Sequence, residues 1–332
     1  MVSPFPDGGC SAGPAVVGAG SVVKCGVLGP LGHVGSGIAY LATARRRQAS
    51  DLATERQLAT ASARPWPREL EVAWTGAAGF RLACEGVVVW IDPYVTRLSF
   101  ADYVRRRVIR ASDAMIARHV DRADAILVGH THFDHALDVP AIARRTGARV
   151  FGSASCASLM RLHGQGATVV EPNRDYEVGP FRFHFVPSTH SKLHLGMSVP
   201  SDGELTCEHL DELVPQAYRC GQVWGIAIEV AGTRLYHQGS ADLLDDEIPD
   251  RDRGIDAFLC GIAGRRFTPR FLERVCARLS PSVIVPTHYD DFFQPLDAPA
   301  QMSFNVNLTG FADEAWALRV PVHALARRGA ST

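Results

Sequence analysis

Residues 125–135 read Ala125-Ile126-Leu127-Val128-Gly129-His130-Thr131-His132-Phe133-Asp134-His135. The unbroken run Ala125 to Val128 fits a strand buried on both faces, and Gly129 ends it at a turn crowded with histidine. Where the chain leaves that strand still extended, His130 and His132 are two residues apart, so their imidazoles point the same way and can bind one metal ion. Asp134 and His135 follow as the turn bends and can face a second ion beside the first. With 13 histidines among 332 residues, chance yields an HxHxDH pattern in roughly one such chain in a thousand. Without a cation, three imidazoles and a carboxylate on one loop would cost desolvation and mutual repulsion.

Working outward, the pattern from Glu69 is that of a mixed α/β domain. Leu70, Val72 and Trp74 alternate, as do Phe80, Leu82 and Cys84. After a turn at Glu85-Gly86 the run Val87 to Ile91 ends at Asp92-Pro93, giving three sequential strands. A helical stretch carrying Arg105, Arg106 and Arg107 precedes the buried strand. Beyond it the spacing predicts a helix near 139–145, a strand at 149–151 and a helix near 154–163. Further strands lie at Phe181 to Phe185, 225–230, 234–237, 257–260 and 283–285. A helix opened by Thr268-Pro269 buries Phe271, Leu272, Val275 and Leu279. Strand-rich segments with inserted helices predict two packed sheets with helices outside.

Two later histidines stand where the first cluster does, at strand ends. Strand 181–186 runs into Pro187-Ser188-Thr189-His190, and strand 283–285 into Pro286-Thr287-His288. The recurrence makes both candidate ligands. His194 and His237 lack that context and suit supporting or packing roles.

Composition bounds the rest. Lys plus Arg is 34 against 35 Asp plus Glu, a net charge of -1, so there is no global basic field to draw nucleic acid. The eight cysteines are scattered singly without a CxxC pair, which reads as buried thiols rather than a zinc ribbon. Residues 1–20 are rich in Gly, Pro, Ser and Ala and read as a disordered lead-in. Residues 25–44 are nearly uncharged and end in Ala42-Thr43-Ala44, a cleavage-like sequence, yet Pro30, His33 and several glycines dilute the apolar run. A cytoplasmic protein is expected, with export or anchoring through 25–44 as the alternative. The expected division is an N-terminal apolar segment and linker over 1–68, dispensable for the metal site, and a catalytic domain over 69–327.

With these residues in view, the chain resembles the metallo-β-lactamase superfamily from about Glu69 to Val322. The likeness is carried by Trp74-Thr75-Gly76, Asp92-Pro93, the HTHFDH loop, His190 and Pro286-Thr287-His288. The early Asp-Pro and the closing PTHYDDFF at 286–293 are most similar to the branch of ascorbate-6-phosphate lactonases and the phospholipase D enzymes that act on N-acyl-phosphatidylethanolamine. The resemblance implies a four-layer αββα sandwich with a dinuclear site, most often zinc. By position, His130, His132 and His190 would bind one ion, and Asp134, His135 and His288 the other. Where family members carry a bridging Asp, this chain has Ser240, a poor zinc ligand. Either Asp242 substitutes, or the second site is weaker, or one ion is held.

The implied chemistry is hydrolysis of an ester, lactone or phosphodiester in a small-molecule or lipid-like substrate, with Asp134 orienting the attacking hydroxide and His288 stabilising the oxyanion. Arg265 and Arg266 could hold an anionic group, and segment 201–221 could form a lid or substrate wall. A superfamily nuclease and a non-hydrolytic di-iron or other metal-binding protein are the alternatives, because histidine and carboxylate also suit iron and manganese.

Overall fold

A computed structural model describes residues 43–61, 66–192, 198–206, 213–299, 301–303 and 306–328. Two six-stranded sheets organise the chain. The first holds β1 (Glu71–Gly76), β2 (Gly79–Cys84), β3 (Val87–Ile91), β4 (Ala125–Leu127), β5 (Arg149–Gly152) and β6 (Thr168–Val169) in sequence order. The second holds β7 (Asp175–Val178), β8 (Phe181–Ser188), β9 (Val223–Val230), β10 (Thr233–Gln238), β11 (Ala257–Gly261) and β12 (Val283–Thr287), likewise in order. Tight turns join the antiparallel pairs β1–β2, β2–β3, β7–β8 and β9–β10, the long segment 189–222 joins the antiparallel β8 and β9, and helical or longer crossovers make the parallel pairs from β3 to β6 and from β10 to β12.

Period-two alternation sorts the side chains between layers. In β3, Val89 and Ile91 join the core between the sheets, while Val88 and Trp90 face the other way into a second apolar cluster. Ala125 and Leu127 of β4 point inward to the first cluster, Ile126 and Val128 outward to the second. Helices cover that outer face: α3 (Asp113–His119) with Ile116, α5 (Val139–Thr146) with Ile142, and α6 (Ala154–Leu162) with Leu159. Apolar residues on both faces explain why these strands read as unbroken runs. On the second sheet, α7 (Phe271–Leu279) buries the predicted quartet Phe271, Leu272, Val275 and Leu279. This is the expected αββα arrangement.

Two local readings change. The basic stretch around Arg105 is not one helix: α2 (Phe100–Val104) is capped by the Ser99 side chain and stops at Arg105, and Arg106 takes a left-handed φ of 52°. Part of the presumed linker forms α1 (Ala44–Ala61), rich in good helix formers. It packs on α8 (Leu308–Ala317), whose N-terminus it serves: the buried Asp51 carboxylate accepts from Thr309 N at 2.8 Å and Thr309 Oγ1 at 2.9 Å. Residues 1–42, and with them the lead-in and most of 25–44, lie outside the described residues. Among the described residues, no helix is long and apolar enough to cross a membrane. Cys84, Cys156, Cys220, Cys260 and Cys276 are free thiols.

Candidate metal centre

Strand ends build the centre. Asp92 follows β3, the HxHxDH turn follows β4, His190 follows β8, Gly239 and Ser240 follow β10, and His288 follows β12, so both sheets deliver side chains to one edge. The turn is held by its backbone. Gly129 N donates to Asp92 Oδ1 at 2.7 Å, Trp224 N to Gly129 O at 2.8 Å, and Thr131 N to Cys220 O at 2.9 Å. His132 then caps the single-turn α4 (Phe133–Ala136), which carries Asp134 and His135.

Six predicted ligands form two trios, His130, His132, His190 and Asp134, His135, His288, and within each trio the donor atoms lie within 4.8 Å of one another. Outside the centre, fixed acceptors take the other ring proton. His132 Nε2 donates to Pro200 O at 2.7 Å, His190 Nδ1 to Ser191 O at 2.7 Å, and His135 Nδ1 to Asp92 Oδ2 at 2.8 Å. A carbonyl or carboxylate only accepts, so Nδ1 of His132 and Nε2 of His190 and His135 are left as lone-pair donors facing inward. His130 Nε2 lies 3.1 Å from His132 Nδ1.

Electrostatics favour a cation. Burial, reinforced by His135, His132, His190 and His288, holds His130 well below its ordinary pKa, and burial likewise holds His190 low. Burial lowers His132 to about 4 against the pull of Asp134. Although burial opposes it, the surrounding His135 and His288 keep Asp134 ionised. For His135, burial lowers the pKa but Asp92 and Asp134 outweigh it and raise it. Three imidazoles held neutral by burial, His130, His132 and His190, with His135 and His288 beside one buried carboxylate, are a donor set that zinc, iron or manganese accepts, so the residues fit a metal centre.

His288 sits at a left-handed φ of 58°. Its N–H donates to Ala77 O at 2.9 Å, and Ala77 N donates to Asp290 Oδ1 at 2.8 Å. Asp290 is buried between Arg97 at 3.0 Å and Arg327 at 3.4 Å. Burial would raise its pKa, but the two guanidiniums outweigh it and hold the carboxyl low. Gly76 of the Trp-x-Gly motif is required here: φ is 88° and a Cβ would overlap the Arg97 guanidinium. One residue before Asp290, Tyr289 donates to Glu55 Oε1 of α1 at 2.9 Å.

Other predicted residues fall elsewhere. Ser240 Oγ accepts from Ser191 N at 3.0 Å, so it braces the loop behind His190. Asp242 is not part of either trio: its carboxylate pairs with Arg274 at 3.0 Å, because that guanidinium reaches it from α7. Arg265 is not a free anion site, since it pairs with Glu314 and stacks over Phe311, and Arg266 lies over Phe267. His237 donates to Ala78 O at 2.9 Å and packs edge-on against Phe80, in a supporting place as expected. His194 lies outside the described residues. The described parts of 201–221 touch the histidine loop and α6: Cys220 O accepts from Thr131, and Glu204 accepts from Ser155 Oγ.

Sequence reasoning passed over Asp92 as a site residue. Its signal was present, a lone carboxylate ending an apolar strand beside Pro93. At Gly239 a Cβ would come within 3.0 Å of Asp92 Oδ2 and 3.1 Å of His135 Cε1, so the glycine clears room for this pair. Phe292 and Phe293 were quoted only as motif letters. The Phe292 ring centroid is 5.2 Å from that of His288.

Fold and centre together define a histidine-rich metal site on an αββα sandwich. A family model described as the β-lactamase superfamily domain matches residues 71–288, and the chain belongs to that superfamily. A relative from Anaeromyxobacter sp. (strain K), named a UPF0173 metal-dependent hydrolase, is 27% identical over 234 residues, covering 67% of this chain and 75% of its own. Among solved structures, Igni18, a metallo hydrolase from Ignicoccus hospitalis, matches with a TM-score of 0.51 at 19% identity, over 78% of this chain and 95% of its own. CmlA, a diiron β-hydroxylase from Streptomyces venezuelae, matches at TM-score 0.51 and 13% identity, over 79% of this chain and 54% of its own. Both structures share the fold.

Proposed function

We propose that this metal-dependent hydrolase of the β-lactamase superfamily cleaves an ester, lactone or phosphodiester bond in a small or lipid-like molecule, with zinc as its metal. The observation that carries the reading is the pair of donor trios with Asp134 as their one carboxylate. Divalent metal at such a centre supplies Lewis acidity, lowering the pKa of water and polarising the scissile carbonyl or phosphoryl group.

The chain's own residues do the rest. Asp134 is held ionised, with Oδ2 3.1 Å from His288 Nε2, so it can orient a water molecule and accept its proton as the water oxygen bonds to the substrate carbon or phosphorus. The same proton returns to the departing alkoxide, which closes the balance. His288, positioned through Ala77 and Asp290, would stabilise the oxyanion as it develops. Pro200, Ser191 and Asp92 keep the imidazoles of His132, His190 and His135 from turning.

The Asp92-Pro93 pair and the closing segment 286–293 support placement near the lactonase and phospholipase D branch. The absence of thiolate from the trios also suits iron, which would favour an oxidative reading. Elemental analysis of purified protein, followed by a panel of lactones, aryl esters, aryl phosphodiesters and phospholipids, tests both. Zinc with turnover of one panel class supports the proposal, and iron with no hydrolysis of any class overturns it.

A further inference from the structure

Beside the centre runs a strip of aromatic rings that the chemistry above does not use. It begins at the ligand His288, whose ring lies 5.2 Å from Phe292, continues to Phe293 at 4.6 Å and reaches Phe100 at 5.3 Å. Tyr103 flanks it, 5.4 Å from Phe293 and 5.7 Å from Phe133, the residue between ligands His132 and Asp134. Burial and the Asp134 charge push the Tyr103 hydroxyl up, so that ring too borders the reaction centre.

The strip is open to solvent at its outer end. Phe292, Phe293 and Tyr103 are half-buried, Phe100 is 55% exposed, and Val104, one turn along the same helix, is 59% exposed. Large apolar side chains left this open next to a reactive centre mark a surface that a ligand covers. Its form selects the ligand. Three successive ring-to-ring steps of 5.2, 4.6 and 5.3 Å, from buried His288 to exposed Phe100, suit a chain several methylenes long, whereas a compact aryl group would cover one step.

We propose that this strip is the track for the acyl chain of a medium-chain ester or lactone, with Phe292, Phe293 and Phe100 setting chain-length preference. The inference rests on the hydrolase reading and narrows its substrate. The carboxylate end of the molecule lies at the trios and the methylenes lie along the rings, so each added methylene along the track removes apolar surface from water.

The test uses the full, metal-loaded chain and calorimetric titration with acetate, butyrate and octanoate, the acid products of such esters. Octanoate is expected to bind at least about tenfold tighter than acetate, a margin that about two fully buried methylenes supply. In Phe100→Ala and Phe293→Ala that ratio should fall towards one, with metal content at the wild-type level to show that each variant is folded. A wild-type ratio near one, or a ratio kept in both variants, overturns the track. If octanoate is preferred but no panel substrate is cleaved, the hydrolase reading fails and the track stands. If short esters are cleaved without preference for octanoate, the track fails alone.

Discussion

The carboxylate of Asp92 accepts a hydrogen bond from Nδ1 of His135 at 2.8 Å, with both side chains buried, while its other oxygen takes the N–H of Gly129. One residue thus fixes the tautomer of a ligand and the start of the ligand loop. It also places a negative charge behind a centre whose own set has a single carboxylate.

Asp92→Asn should therefore weaken metal binding at the Asp134, His135, His288 trio by roughly 10- to 100-fold, the usual effect of removing such a partner. Binding to the other trio should change less. Competition titration with a chromophoric chelator reads both steps.

His130→Ala with His132→Ala removes two imidazoles from one coordination set and should abolish most bound metal and activity together. Full metal content in the double variant, measured by elemental analysis, would refute the assignment.

Ser240 leaves the centre without a bridging carboxylate, so two divalent ions side by side are less well compensated than with an Asp there. Stoichiometry at limiting zinc should fall below two per chain, and Ser240→Asp should raise it. Asp242→Ala should leave it unchanged, because that carboxylate is held by Arg274.

Acid should release metal and destabilise the metal-free fold. His130, His132 and His190 have folded pKa values below their ordinary 6.5, His132 near 4. Their unfolded forms take up protons first, so stability contributed by these neutral rings is full above pH 6.5 and declines as pH falls towards 4. His135, with a raised pKa, works in the opposite sense, three rings against one. Thermal unfolding of metal-free protein at pH 7 and pH 5 should show the lower midpoint at pH 5.

Asp51 joins α1 to the start of α8 from a buried position. Asp51→Ala leaves Thr309 N without its acceptor and should cost about 1–3 kcal/mol. Glu55→Gln at the Tyr289 contact should cost less, since a side-chain oxygen remains to accept. Comparing a chain that begins at 43, which keeps α1, with one that begins at 67, which lacks it, tests whether these contacts matter: metal content should be kept in the first, whereas the second should unfold at lower temperature.

The ligand positions were legible because metal chemistry needs particular residue types where strands end, and strands announce themselves through apolar runs such as 87–91 and 125–128. Asp92 ends an apolar strand in the same way, but its role rests on a contact with His135, 43 residues further on. The roles of Asp242 and Arg265 were not legible, since each is decided by a partner far along the chain, Arg274 for one and Glu314 for the other. Helix α1 escaped because its only large apolar residues are Leu52 and Leu58 and its partner α8 lies about 250 residues away. α8 itself was missed, with Gly310 in its first turn masking a helix that Asn307 caps.

The trios draw from both sheets: each joins residues of the β4 turn to one histidine from the second sheet, His190 or His288. A metal ion held there is a clasp across the sandwich, and its binding energy counts directly towards keeping the layers together. Metal supply in the cell would then govern how long each copy survives proteolysis as well as how fast it turns over. Starvation for the ion should thin the population of the protein rather than leave an intact, idle pool.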